Sequence, residues 1–127
     1  DIVKISDEEL GFITGENDIK AALPKLFTGN VKLVIYTCGS EGAYAFTKNA
    51  QAFAESEKVK AVDTTGAGDG FIGSFLYALK TLSVTAEGLC DLDNAQLERC
   101  IAFSNKFCGE SVKHQGAIDS YRKIEFI

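Results

Sequence analysis

Residues Val62 to Gly70 (VDTTGAGDG) set a glycine-rich turn between a short apolar strand ending at Val62 and a run of apolar residues at helical spacing, Phe71, Ile72, Phe75, Leu76, Leu79 and Leu82. A strand feeding such a turn, which then opens a helix, aims several unpaired backbone N–H groups and the positive end of the helix dipole at one point. That point favours an anion. Asp69 falls in the first turn of the same helix, so a carboxylate stands beside the place where the anion would be held. An anion cradle with an adjacent base is a minimal set of parts for phosphoryl transfer.

A second pattern overlaps the first. Gly68-x-Gly70-x-x-Gly73 also fits the dinucleotide fingerprint G-x-G-x-x-G, which needs a second strand bearing an acid about 20 residues on. Asp91 and Asp93 lie near that distance, but the segment Ala86 to Asn94 has no strand pattern. The phosphoryl-transfer reading is therefore preferred, with a dinucleotide-binding oxidoreductase as the rival that would take NAD over ATP.

The elements that must position this turn are legible along the chain. Asp1 to Ile5 reads as a strand, and Ser6-x-x-Glu9 ahead of Leu10 and Ile13 as a capping box opening a helix. Gly15 ends that helix. Asn17 or Asp18 then caps a second, through Ile19, Ala22, Leu23, Leu26 and Phe27, closed by Gly29. Pro24 should kink or break it unless the helix starts at Pro24 itself. Val31 to Thr37 (VKLVIYT) is nearly all apolar, as a strand buried on both faces of a parallel sheet should be. Thr37-Cys38-Gly39-Ser40-Glu41-Gly42 follows at its C-terminal end, where α/β sheets bind ligands, and leads into short strands at Ala43–Thr47 and Gln51–Ala54. The same glycines would also serve a plain hairpin turn.

Lys58 to Val62 supplies the strand entering the central turn. In the helix after it, the small residues Gly70, Gly73 and Ser74 suggest close approach to a ligand or a neighbouring element. Ala86 to Asn94 is an acidic connector, and Asp93 with Gln96 starts a last helix bearing Leu97, Ile101, Phe103 and Phe107.

As written, DTTGAGDGFIGSF resembles the second signature of the ribokinase-like (pfkB-type) carbohydrate kinases, and VKISDEE, the T-x-G-x-x-G loop and Val112 to Ala117 resemble further segments of that family. The resemblance implies an α/β ribokinase-like layered domain with a mostly parallel central sheet. Residues 1–127 would be the C-terminal nucleotide-binding and catalytic portion of a longer sugar kinase, fructokinase-like from the SDEE spelling. It implies ATP-dependent phosphorylation of a sugar hydroxyl, with Asp69 as base and Gly66, Ala67 and Gly68 as anion hole. Thr37, Gly39 and Gly42 would border the nucleotide phosphates, and Asn105 the adenine.

Glu9 would contact Mg²⁺ directly or through water. Asp63 and Thr65 would hold a monovalent cation such as K⁺, with carbonyls of Ser111, His114 and Gly116. Ser6 stands where many relatives have Asn, and Lys113-His114 replaces a Thr-Arg pair. The partners implied are a sugar and ATP, with a homodimer of the full-length chain as a candidate assembly. A nucleotide-binding module without turnover is the alternative, because the portion carrying most sugar contacts would be missing.

Composition narrows the classes. The 127 residues are 46% hydrophobic and carry a formal charge of -5, with no basic cluster, which argues against nucleic acid or an anionic membrane as partner. Phosphate binding would then rely on backbone donors and metal. There is no Met, which suggests a processed or truncated product. No apolar run approaches the ~20 residues of a membrane span, and no leader pattern is evident, so a cytoplasmic location is expected. The four cysteines lack a C-x-x-C spacing and His114 is the one histidine, so structural zinc is not expected; Cys100 and Cys108 read as reduced core thiols. Cys38 would block nucleotide when alkylated if exposed, and be inert if buried.

Overall fold

The structure, a computed structural model, describes residues 2–55 and 67–111. The expected strand at 58–62 lies outside the described residues, as do Asp63, Thr65, Gly66, His114 and Gly116.

Strand β1 (Ile2–Ser6) leads into α1 (Asp7–Thr14) and α2 (Ile19–Leu26) and returns as β2 (Leu33–Thr37). A crossover through helices lets the two strands lie parallel, with Ile2 beside Leu33 and Ser6 beside Thr37. Strands β3 (Ala43–Phe46) and β4 (Gln51–Ala54) follow as antiparallel neighbours, giving the order β1-β2-β3-β4. Of the mostly parallel sheet expected, the described residues thus hold one parallel pairing and two antiparallel ones. The connections after β2 and β3 are too short for a crossover, so the chain can only turn back. Helices α3 (Ala67–Thr81) and α4 (Asn94–Ser111) complete the described fold.

Alternation along β2 sorts the core into two layers. Leu33 and Ile35 face a cluster with Phe75, Ala78, Leu97 and Ile101 of α3 and α4. Val34 faces the opposite side, with Ile5, Leu10, Ala22 and Leu26. All three β2 residues are fully buried, as a strand covered by helices on both faces must be. The layered α/β arrangement is therefore the one expected.

Local signals set most helix ends. Ser6 and Glu9 satisfy each other's backbone at the start of α1, and Gly15 ends it in the left-handed region at φ 75°. Asp93 and Gln96 make the same reciprocal pair ahead of α4, at 3.1 and 2.7 Å. Asp18 caps α2 with a 3.4 Å bond to the Lys20 N–H.

Three expectations need correction. The second helix begins at Ile19 and continues over Pro24 to Leu26; this close to the end, the missing N–H interrupts little of the helix that remains. Phe27, not Gly29, is its C-terminal cap, and Gly29, at φ 58°, belongs to the turn beyond. A Cβ at Gly73 would meet no described atom within 4 Å, so close packing does not explain that glycine. Ser74 does sit at a close approach: it is buried and its hydroxyl bonds the Phe71 carbonyl at 2.9 Å and the Ser104 hydroxyl at 3.1 Å, joining α3 to α4.

Candidate active site

Parallel strands of an α/β sheet present their C-terminal ends to ligands because helix N-termini and loops gather there. Here the ends of β1 and β2 lie side by side, and a cleft of about 380 Å³ opens over them. Its walls come from four elements. Lys4, Ser6 and the acidic run Asp7, Glu8 and Glu9 form one side; Thr37, Gly39 and Gly42 the second; Phe71 of α3 and Asn105 with Cys108 of α4 the rest. Of the residues that sequence reading nominated, Glu9, Thr37, Gly39, Gly42 and Asn105 thus share one cleft.

The loop after β2 is both a hairpin turn and a wall of this cleft. The Cys38 N–H donates to the Gly42 carbonyl at 2.8 Å and the Glu41 N–H to the Cys38 carbonyl at 3.1 Å, closing a short 3-10 turn over Gly39–Glu41. Gly39 is left-handed at φ 57° with open space where a Cβ would stand. At Gly42 a Cβ would lie 2.3 Å from the Ala54 carbonyl oxygen, which no side chain can survive without moving the backbone. Glycine there lets the loop press against the end of β4.

Asn105 is buried, and its amide nitrogen donates to the carbonyls of Ala54 at 2.9 Å and Glu55 at 3.2 Å. The side-chain carbonyl is its remaining polar atom. Glu9 is exposed; its Oε1 accepts from the Ser6 N–H at 3.0 Å while the Ser6 hydroxyl accepts from the Glu9 N–H at 3.2 Å. The backbone bond from Ser6 is the main reason its carboxyl lies below the usual range, with the Ser6 hydroxyl and the Lys4 charge adding to it.

Helix α3 reaches the cleft through Phe71. Ala67 and Gly68 are the first two residues of that helix and Asp69 the third, so their N–H groups belong to the turn that lacks intrahelical acceptors. Phe71, one helical turn after Ala67, lines the cleft. The rival fingerprint does not fit: Gly68, Gly70 and Gly73 all lie within α3, and Glu87–Asp91 is a 3-10 turn where a second strand would be needed.

Residues 1–124 match the family described as pfkB family carbohydrate kinase. The chain belongs to that family. This pfkB-type chain is 37% identical over 119 residues to Fructokinase-2 of Solanum lycopersicum, covering 93% of itself and 35% of that protein. It is 34% identical over 121 residues to Fructokinase-1 of Oryza sativa subsp. japonica, covering 94% and 36%. The fold superposes on a fructokinase with bound ATP from Xylella fastidiosa with a TM-score of 0.86 at 26% identity, over 95% of this chain and 39% of that one. A fructokinase from Vibrio cholerae holding fructose, ADP and calcium gives 0.77 at 32% identity, over 94% and 37%. The ribokinase-like fold class is thereby established, and the pfkB-type chain spans about a third of the length of the curated relatives it matches.

Sequence reading missed Lys4, Phe71 and Cys108 as cleft residues. Lys4 was in fact readable by alternation: it shares a strand face with Ser6, with buried Ile5 between them on the other face. Cys108 follows Asn105 by one helical turn, and burial pushes its thiol up to about 12. Cys38 does not line the cleft. Burial raises its thiol as well, and it shares a hydrogen bond with Tyr36, which packs on the α1/α2 side.

Two larger open grooves exist, about 540 Å³ beside Ile2, Leu79 and Leu89 and about 530 Å³ beside Tyr36, Tyr44 and Phe53. Neither includes Thr37 or Asn105. No described helix is long and apolar enough to cross a membrane.

Proposed function

We propose that this chain is the C-terminal nucleotide-binding and catalytic portion of a fructokinase-type sugar kinase, which transfers the γ-phosphoryl group of ATP to a sugar hydroxyl. The observation carrying the reading is the convergence of Thr37, Gly39, Asn105 and Phe71 of α3 on one cleft at the strand ends. The relatives and superposed structures include fructokinases with ATP, or with fructose and ADP. These support a nucleotide in this cleft and a sugar beside it.

In this reading Thr37, Gly39 and Gly42 border the phosphates and the Asn105 carbonyl faces the base. Backbone N–H groups of Gly66, Ala67 and Gly68 take up charge on the transferring group. The sugar hydroxyl oxygen forms a bond to the γ-phosphorus as the bond to the β,γ-bridging oxygen breaks, and the hydroxyl proton passes to the Asp69 carboxylate. A carboxylate at a helix N-terminus is a weakened base. It suffices, because in a loose phosphoryl-transfer transition state the attacking hydroxyl loses its proton late.

Glu9 offers one oxygen toward a Mg²⁺ ion. Among the described residues no three His, Cys, Asp or Glu side chains gather into a metal site, and a magnesium held by one carboxylate with substrate phosphates and water needs no such group. Bound there, the ion would neutralise charge on the phosphate oxygens. Asp63 and Thr65 are proposed for a monovalent cation. A homodimer of the full-length protein and a cytoplasmic location are proposed with them.

ADP release from ATP, measured with a panel of ketoses and pentoses on this chain and on the longer protein carrying it, tests the assignment. The longer protein is expected to release ADP with a furanose-forming sugar. Absence of both ADP release and ATP binding in the folded longer protein would remove the kinase reading. A second reading, a binding module without turnover, follows from the one-third span; it predicts ATP binding without ADP release by the 127 residues alone.

A further inference from the structure

The lining of the cleft poses a charge problem. Asp7, Glu8 and Glu9 stand along one wall, and the whole chain carries a charge of -5, yet the proposed ligand is a polyanion. Lys4 is the one basic residue among the described residues that line the cleft. We propose that Lys4 supplies the side-chain positive charge that holds the nucleotide's phosphates here, a binding role resting on the nucleotide reading of the cleft.

Three observations place it. Lys4 sits on β1 between Val3 and Ile5, which pack toward α1 and α2, and shares the opposite face with Ile2, which packs toward α3 and α4. Its side chain therefore rises on the side where Asn105 and Cys108 stand. Glu9 and Cys108 line the same cleft, and the Lys4 charge acts on both. It is half-buried, and among the described residues the one ion pair is Lys25 with Glu16. Among the described residues no carboxylate stands at ion-pair distance from this half-buried ammonium, and a phosphate oxygen would give it an anionic partner. Lysine serves phosphate as a point charge on a flexible stem, which needs no fixed fork geometry.

The test compares binding of ATP and of uncharged adenosine to the longer protein by calorimetry, for the native sequence, Lys4→Met and Lys4→Arg. Lys4→Met should weaken ATP by about 10- to 100-fold, the scale of one lost hydrogen bond to a charged group. Adenosine affinity should be unchanged, Lys4→Arg should retain most of the ATP affinity, and added salt should weaken ATP less in Lys4→Met than in the native protein. Equal ATP affinity in Lys4→Met and the native protein overturns the proposal. So does an equal loss for ATP and adenosine, which would mark Lys4 as structural support of the cleft. If Lys4→Met fails to fold, the native protein still decides: ATP affinity must fall more steeply with salt than adenosine affinity. A native protein that binds adenosine but shows no gain for ATP refutes the role of Lys4 alone, whereas one that binds neither refutes the nucleotide reading beneath it.

Discussion

The side-chain amide of Asn105 on α4 is held by the backbone carbonyl of Ala54 at 2.9 Å, with Glu55 accepting a second bond at 3.2 Å. One buried residue thus ties the helix layer to the end of β4, next to the point where Gly42 presses on the same Ala54 carbonyl. The hairpin, the strand end and α4 meet there, and the cleft is built on that meeting.

Removing the tie leaves two carbonyls without their donor at a part-buried contact. Asn105→Ala is expected to cost about 1–3 kcal/mol in urea unfolding. Asn105→Asp should cost more, because a carboxylate replaces the donor and faces two carbonyl oxygens. Unchanged midpoints for both variants would show that the bonds contribute nothing to stability.

The two loop glycines should behave differently. Gly39→Ala meets no atom and bears only the left-handed backbone penalty, about 1–2 kcal/mol. Gly42→Ala drives a Cβ onto the Ala54 carbonyl at 2.3 Å, so it should cost several times as much by denaturant unfolding. It should also loosen the cleft, seen as a weaker nucleotide-induced thermal shift. Equal costs for the two would contradict the packing found at Gly42.

What the sequence showed and hid follows from the range of each interaction. Ser6 with Glu9 and Asp93 with Gln96 were readable because both partners of each pair lie three residues apart. The apolar run of β2 was readable because burial on both faces leaves no polar position in it. By contrast, the acidic connector hid two core residues: Leu89 and Leu92 are buried, but the 3-10 turn that aims them inward has no apolar periodicity to betray it. Asn105 was nominated by resemblance, while its tie to Ala54 depends on elements 51 residues apart in the chain. Alternation with Ile5 gave the face of Lys4, but that Asn105 and Cys108 share its cleft was hidden, because they lie near the other end of the described chain.

The capping box predicts a pH signature. Glu9 has its carboxyl lowered in the folded state from an ordinary 4.5, chiefly by the Ser6 backbone bond. Its contribution is therefore fully present above the unfolded value and lost as pH falls through the folded one, so stability should decline on acidification below about pH 5. Glu9→Gln should flatten part of that decline in urea midpoints measured from pH 6 to 3. Ser6→Ala should flatten it less, since the backbone bond remains, and should cost about 0.5–2 kcal/mol near neutral pH as a lost cap. Identical acid limbs in Glu9→Gln and the native protein would exclude this linkage.

Thiol chemistry provides an independent reading of burial. Burial raises Cys100 to about 11 and Cys108 to about 12, and the thiolate is the reactive form. Both should react with iodoacetamide at pH 8 far more slowly in the native protein than after unfolding, by about 100-fold or more. Cys38 and Cys108 are both partly buried where Cys100 is fully so, but burial raises the Cys108 thiol to about 12, so Cys38 should be labelled before either. Because Cys38 bonds Tyr36 and is not among the residues lining the cleft, labelling limited to Cys38 should leave ATP affinity within a few-fold of native. Peptide mapping by mass spectrometry gives the order, and rapid native labelling of Cys108 would contradict its placement against the core.

Asp69 carries the most consequential prediction. It is the third residue of α3, two positions before Phe71 on the cleft wall. If it receives the sugar proton late in the transfer, removing its charge should affect the chemical step far more than nucleotide binding. Asp69→Asn in the longer protein is therefore expected to lower kcat by about two orders of magnitude or more, with ATP affinity changed by a few-fold at most. Single-turnover kinetics separate the step from product release. Near-normal transfer in that measurement would take Asp69 out of the mechanism, while an equal loss of ATP affinity would recast it as a nucleotide-binding residue.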